Sequence, residues 1–122
     1  MALVAEQQGR PDETIGILER IGGTSLNRMA SLGHAYAIAG KVARARGVLD
    51  SLHARAARSY VPSYWFALVH AGLGERDQAM QYLERAYQER STVLAYLRID
   101  PRLQSLHDHP RFVALVRNIV GE

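Results

Sequence analysis

The stretch that decides the fold is 32–52, LGHAYAIAGKVARARGVLDSL, which recurs further along the chain as 66–86, FALVHAGLGERDQAMQYLERA. The recurrence lies in the kind of residue at fixed offsets, where small, apolar and glycine positions coincide. The paired positions are Leu32 and Phe66, Gly33 and Ala67, Tyr36 and His70, Gly40 and Gly74, Ala45 and Ala79, Leu49 and Leu83, and Leu52 and Ala86. A repeat with a period of about 34 residues and helical spacing of apolar residues predicts pairs of amphipathic helices that stack on one another.

The first copy predicts a helix over about 26–39 that ends near Gly40, followed by a second helix over about 42–57. The second copy repeats this design, with Gly74 between its two helices. Small residues at matching offsets, such as Gly33, are expected to let neighbouring helices approach closely. We therefore expect these positions to serve packing.

Start and stop signals flank the two copies. In the second copy, Pro62 and Asp77 are expected in the first turns of the two helices. The segment 9–21 predicts the second helix of an incomplete earlier repeat, although it lies slightly closer to its counterpart than the repeat period requires. Thr24 or Ser25 is then available as the N-cap of the next helix.

The pattern changes after the second copy. Asp100 followed by Pro101 predicts an N-cap and a proline at the first helical position, and Pro110 starts another helix in the same way. The apolar face predicted for this last helix consists of Phe112, Leu115, Val116 and Ile119. We interpret 94–122 as capping helices.

These residues and their spacing resemble the tetratricopeptide repeat family. The resemblance implies an all-α fold, in which antiparallel helix-turn-helix repeats stack into a right-handed superhelix, an α-solenoid with C-terminal capping helices. A single domain would contain an incomplete repeat at 1–25, repeats at 26–59 and 60–93, and the caps at 94–122. The region from 60 onward also resembles the C-terminal repeats of bacterial multidomain signalling proteins, which implies an origin in a larger signalling or regulatory protein.

In this family, ligands bind an inner face built mainly from the first helix of each repeat. The matching positions here predict a mixed but largely apolar groove, with candidate partner-binding residues Asn27, Ser31, His34, Ile38, Val61, Tyr64, Trp65 and Leu68. Tyr64 and Trp65 are the expected anchors, because a large ring with a polar handle can fix a peptide at low conformational cost. The alternative, that both rings fill the core between repeats, stays open.

The resemblance makes a protein-interaction scaffold the expected function, with a peptide or a partner helix as the ligand. One variant of this family binds acidic C-terminal tails through lysine and asparagine side chains on successive first helices. This chain departs from that pattern because Lys41 is its only lysine. We therefore expect the groove to bind a less acidic and more apolar ligand.

Two alternative functions stay open. The first is a structural end cap or self-association segment with no ligand of its own, favoured by the incomplete repeat, whose short first helix over about 1–8 would leave apolar surface exposed. The second, weaker alternative is nucleic-acid binding by the arginines of the first copy's second helix. These arginines are Arg44, Arg46, Arg55 and Arg58. A solvated face is the favoured interpretation, because helical spacing and acidic neighbours divide the charge into small patches.

Composition excludes several other classes of protein. A length of 122 residues with 48% hydrophobic and 22% charged content suits one soluble helical domain. The sequence has no cysteine, which excludes thiol catalysis and cysteine-ligated zinc. The opening residues lack a basic leader, and no apolar run reaches the length of about 18 residues typical of a membrane span. We expect a cytoplasmic protein.

Catalytic and cofactor signals are weak. His107 and His109 form the only local cluster of metal-type ligands, whereas zinc sites use three or four protein ligands. Gly72 and Gly74 lack the preceding strand and the third glycine of a dinucleotide fingerprint. Because no nucleophile with a neighbouring base stands out either, we expect no enzymatic activity, no metal and no cofactor.

Overall fold

The computed structural model describes residues 11–21, 25–91, 94 and 97–120. Every regular element within these residues is helical. The elements are α1 (Pro11–Ile21), α2 (Leu26–Ile38), α3 (Val42–Ala56), α4 (Ser63–Gly72), α5 (Arg76–Gln88), a 3₁₀ helix (Pro101–Leu106) and α6 (Pro110–Val120). The all-α prediction is confirmed for this part of the chain. The helix expected over 1–8 and the alternative N-cap Thr24 lie outside the described residues.

Two glycine turns recur at the repeat period, as the sequence predicts. Gly40 and Gly74 have φ of 81° and 76°, the left-handed region that glycine adopts without steric cost. After each glycine, the next amide donates back to the helix, from Lys41 N to Tyr36 O at 2.8 Å and from Glu75 N to His70 O at 3.0 Å. These bonds satisfy carbonyl groups that would otherwise be unpaired at the ends of α2 and α4.

The same turn closes α5, but with arginine in the glycine position. Arg90 has φ of 56°, and the Ser91 amide donates to Ala86 O at 3.1 Å. Because the left-handed conformation is costly for a residue with a Cβ atom, we expect Arg90→Gly to raise the free energy of unfolding by about 0.5–1 kcal/mol. Urea unfolding measures this change, and a destabilised variant would contradict it.

Helix starts follow the predicted chemistry, with one correction. Ser25 caps α2 by accepting a hydrogen bond from Arg28 N at 3.1 Å, and Pro110 begins α6. Pro62 does not lie in the first turn of α4, because the helix begins one residue later, at Ser63. The Ser63 amide instead donates to the carboxylate of Glu89 at 3.3 Å, so the end of α5 supplies the cap.

The helices pack around two apolar clusters. Helix α2 contacts α1, α3 and α4; helix α4 contacts α5 and the 3₁₀ helix; and α5 contacts α6. The first cluster contains residues of α1, α2, α3 and α4. The second contains residues of α4, α5, the 3₁₀ helix and α6, together with Ala30 of α2. The small and apolar repeat positions predicted to serve packing are buried, namely Ala45, Leu49, Leu52, Ala67, Ala79, Leu83 and Ala86. On the predicted apolar face of α6, Phe112 and Leu115 are buried and Val116 and Ile119 are partly buried.

Gly33 lies at a close approach between α2 and its neighbours. A Cβ atom there would lie 2.9 Å from both Val48 Cγ1 and Val69 Cγ2, whereas one at Gly47 would meet nothing within 4 Å. We expect Gly33→Ala to lower the free energy of unfolding by about 1–2 kcal/mol through overpacking. The matched variant Gly47→Ala should raise it by about 0.5–1 kcal/mol, because alanine favours a helix interior. Equal stabilisation by both substitutions in urea would contradict this packing.

Candidate functional site

The predicted ligand-binding face is covered by the chain itself. One stripe of α2 carries Asn27, Ser31, His34 and Ile38, and with the adjacent side of α4 it forms what we call the inner face. Residues 97–106, the cap segment, lie against it. Leu97, Leu103 and Leu106 are at most 1% exposed and belong to the same cluster as Tyr64 and Leu68.

Arg102 is the centre of this contact. Its guanidinium Nη1 donates to Asn27 Oδ1 and to Ser31 Oγ, both at 2.6 Å. Nε and Nη2 donate to the two carboxylate oxygens of Asp100 at 2.8 Å each. Although arginine is rarely buried, the residue is only 6% exposed, and its charge is compensated by this fork-shaped ion pair.

Asp100 links the cap segment to α4. Its carboxylate accepts a hydrogen bond from the Tyr64 hydroxyl at 2.6 Å and another from Arg102 N at 3.0 Å. Burial alone would raise the pKa of the Asp100 carboxyl, but the hydrogen bonds and charge of Arg102, with the Tyr64 bond, lower it overall. Asp100 is therefore held as a carboxylate, and it also caps the 3₁₀ helix that Pro101 begins.

His34 lies beneath the cap segment and is held neutral. Its side chain is 4% exposed. Burial lowers the pKa of His34 from 6.5 to about 4, and the nearby Arg102 charge acts in the same direction. Asp100 and a hydrogen bond with the Arg102 backbone oppose the shift without cancelling it. Of the His34 and Arg102 side chains, only the Arg102 guanidinium therefore carries a positive charge at neutral pH.

The burial of the inner face corrects the open groove predicted from the sequence. Tyr64 and Leu68 have no exposed surface, and Ser31, His34 and Val61 are 4–7% exposed. Side chains from the cap segment and from neighbouring helices cover these positions. Trp65 is half-buried, with its ring centroid 5.6 Å from that of Tyr64 in an edge-on contact. Asn27 and Ile38 remain exposed at the two ends of the stripe, and partner binding there stays a prediction.

Sequence reasoning missed Asp100 and Arg102 as residues of this face. The Asp-Pro pair predicted only an N-cap at Asp100, and the partners of Arg102 on α2 lie 71 and 75 residues away in the sequence. One signal was available, since an Asp-Pro-Arg triplet interrupts a leucine-rich segment. A charged pair between buried leucines predicts a specific polar partner on the facing helix.

The histidine cluster near the C-terminus is used in structural contacts. The His109 ring lies 3.1 Å from Asp77, and Arg76 pairs with Asp108 at 2.6 Å. His107 stacks on Phe112 with the ring centroids 5.0 Å apart. Across the described ranges, no group of three or more metal-type ligands comes together. The two ion pairs hold the start of α6 against α5.

A second surface lies between α2 and α3 and remains open. It is a groove of about 340 Å³ lined by Met29, Leu32, Tyr36, Arg44, Gly47, Val48 and Ser51, and we call it the outer groove. Its apolar residues on α2 occupy the side opposite to the inner face. The cap segment contributes no residue to it.

The arginines of α3 do not form one uniform surface. Arg46 makes a two-pronged ion pair with Glu75, at 3.1 and 2.7 Å, and His70 also contacts that carboxylate at 2.9 Å. Arg44 instead covers the Tyr36 ring, 5.8 Å from its centroid. Arg46 is therefore committed to a carboxylate beside α5, whereas Arg44 and Arg55 lie on the side of α3 that faces the outer groove.

Comparisons with protein-family models, curated proteins and solved structures found no match to this chain. Among the helices that the structure describes, none has the length and apolarity required to cross a membrane.

Proposed function

We propose that this chain is a non-enzymatic protein-interaction scaffold of the tetratricopeptide type, in which the repeats stack as a solenoid and the cap segment closes the inner face. Partners bind at the outer groove. The period of the sequence repeat and the recurring glycine turns support the repeat assignment. The cytoplasm and a larger signalling or regulatory protein are the proposed setting.

The observation that carries this proposal is the insertion of Arg102 into the inner face. A buried guanidinium with four hydrogen bonds to Asn27, Ser31 and Asp100 occupies the position where a ligand would sit. A partner that used this face would have to displace the cap segment. The outer groove needs no such displacement, and its apolar floor and polar rim are typical of a binding surface.

Affinity capture from a source-cell lysate tests the proposal with matched baits. Gly47→Gln places a side chain into the outer groove from a position with no neighbours within 4 Å, while Ile38→Gln alters a residue of the inner face that is 46% exposed. We expect captured proteins to be lost with Gly47→Gln and retained with Ile38→Gln. Loss with Ile38→Gln and retention with Gly47→Gln would instead indicate that partners bind at the inner face.

A second candidate function is a structural end cap with no ligand of its own. The burial of Leu97, Leu103 and Leu106 in the common core favours it, because a segment so integrated acts first as a lid on apolar surface. This function predicts that neither the wild-type chain nor either of the two variants captures a protein specifically.

A further inference from the structure

The shape of the outer groove suits a helix. Met29, Leu32 and Tyr36 form its floor along one side of α2, and Val48 stands on the α3 side. Gly47 leaves the α3 wall low, since nothing lies within 4 Å of the position its Cβ would take. A low wall beside an apolar floor lets the backbone of a partner helix approach closely, and apolar side chains at helical spacing would then fill the floor.

Positive charge stands at both ends of this floor. The Arg44 guanidinium covers Tyr36 at one end, and Arg55 Nη1 lies 3.7 Å from Met29 Sδ at the other. Arg44, Val48, Ser51 and Arg55 form one stripe of α3, so the two arginines are about 16 Å apart along the helix axis. A ligand that fits must therefore present apolar side chains to the middle of the groove and negative charge to the arginine at each end.

One carboxylate of the chain, that of Glu19, lies beside the Tyr36 end of the outer groove. Helix α1 packs on α2, and its Glu19 accepts a hydrogen bond from the Tyr36 hydroxyl at 2.7 Å. The Arg44 guanidinium lies over the ring of the same tyrosine, 5.8 Å from its centroid. At this end of the outer groove, the Tyr36 hydroxyl therefore donates to a carboxylate of the chain's own helix α1.

We infer that the outer groove binds an amphipathic partner helix whose apolar stripe is flanked by carboxylates about three helical turns apart. The inference rests on the proposed function, because it names the partner class for the same surface. Nucleic acid fits less well, since phosphates would face an apolar floor, and Arg46 is engaged by Glu75.

The test uses the full chain and a fluorescein-labelled peptide of about 15 residues, a length at which an isolated helix can begin to form. The peptide carries glutamate at its second and thirteenth positions, leucine at the sixth and ninth, and alanine and glutamine elsewhere; a control peptide has lysine in place of both glutamates. Fluorescence anisotropy should show the glutamate peptide binding about tenfold more tightly than the lysine peptide, because two exposed ion pairs become two repulsions. Gly47→Gln should abolish binding of both peptides.

Charge reversal makes the result specific. In Arg44→Glu, Arg55→Glu the preference should invert, so that the lysine peptide binds more tightly. If that double variant does not fold by circular dichroism, the single variant Arg44→Glu should still reduce the preference for glutamate. Equal binding of both peptides, or no binding to the folded wild-type chain, would overturn the inference. If the chain does not bind the glutamate peptide but binds a labelled single-stranded oligonucleotide in a salt-sensitive way, the arginines bind nucleic acid and the inference is wrong.

Different results would overturn the partner class and the proposed function. If Gly47→Gln loses its captured proteins while charge reversal leaves the peptide preference unchanged, the outer groove is the binding surface but its partner is not an acidic helix. If Gly47→Gln captures the same proteins as the wild-type chain, the proposed function itself fails.

Discussion

Replacing Arg102 with methionine should lower the free energy of unfolding by about 3–5 kcal/mol. Methionine keeps most of the side-chain volume but removes the cation, so the carboxylate of Asp100, which is 4% exposed, loses its ion pair. Asn27 and Ser31 lose their hydrogen bonds to the guanidinium at the same time. Urea unfolding followed by circular dichroism measures the loss.

Two further variants separate the buried charge from other effects. Arg98→Met removes an exposed arginine from the same segment and should change stability by less than about 0.5 kcal/mol. Adding Asp100→Asn to Arg102→Met should recover part of the lost stability, since the uncompensated carboxylate is then gone. A loss below about 1 kcal/mol for Arg102→Met would contradict the role assigned to this buried ion pair.

Acidification should destabilise the fold through His34. The pKa of His34 is 6.5 in the unfolded chain and about 4 in the folded chain. Above pH 6.5 both states are neutral at this position, so His34 adds no pH dependence. Between pH 6.5 and 4 the unfolded chain takes up a proton that the folded chain refuses, and the free energy of unfolding falls by about 3 kcal/mol.

His34→Gln provides the control for this pH dependence. The variant should lose less stability than the wild-type chain between pH 6.5 and 4, because its side chain does not titrate. The lowered pKa of Asp100 acts in a different window, since the stability it contributes is lost only as the pH falls below its reference value of 3.8. An NMR titration of the His34 ring with a midpoint near 6.5 would contradict this account.

Local chemistry explains why the sequence predicts the helices and turns so closely. Gly40 and Gly74 meet a backbone requirement within a few residues, as do Ser25 at the start of α2 and Pro110 at the start of α6. The glycine turns and the Ser25 cap depend on hydrogen bonds between near neighbours, and Pro110 acts through its own fixed φ. A helix start was missed where a distant group intervenes, as Glu89 does at the start of α4.

The inner face could not be predicted in the same way. Whether Tyr64 lies in a groove or in the core depends on what packs over it, and the residue that accepts its hydroxyl bond is Asp100, 36 positions later. Helical periodicity reports which residues share a side of a helix, but not which segment covers that side. The polar character of Asn27, Ser31 and His34 was visible, although the contact of this face with Arg102 was not.

The outer groove illustrates the same limit. In the sequence, Val48 and Leu32 resemble ordinary packing residues, and Gly47 resembles a weak point in a helix. Only the relative placement of α2 and α3 shows that Gly47 borders an open apolar surface with Arg44 at its rim. Its interpretation as a binding site depends on that placement.

Native-state hydrogen exchange at the Leu103 amide tests the central claim, that the cap segment closes the inner face. This amide donates to Asp100 O at 3.1 Å in the turn that holds Arg102. We predict that it exchanges with the same opening free energy and the same urea dependence as the Ala35 amide in the middle of α2, because cap and helix open together. Exchange of Leu103 through a smaller opening, with Ala35 still protected, would contradict the closed inner face and restore it as a ligand-binding surface.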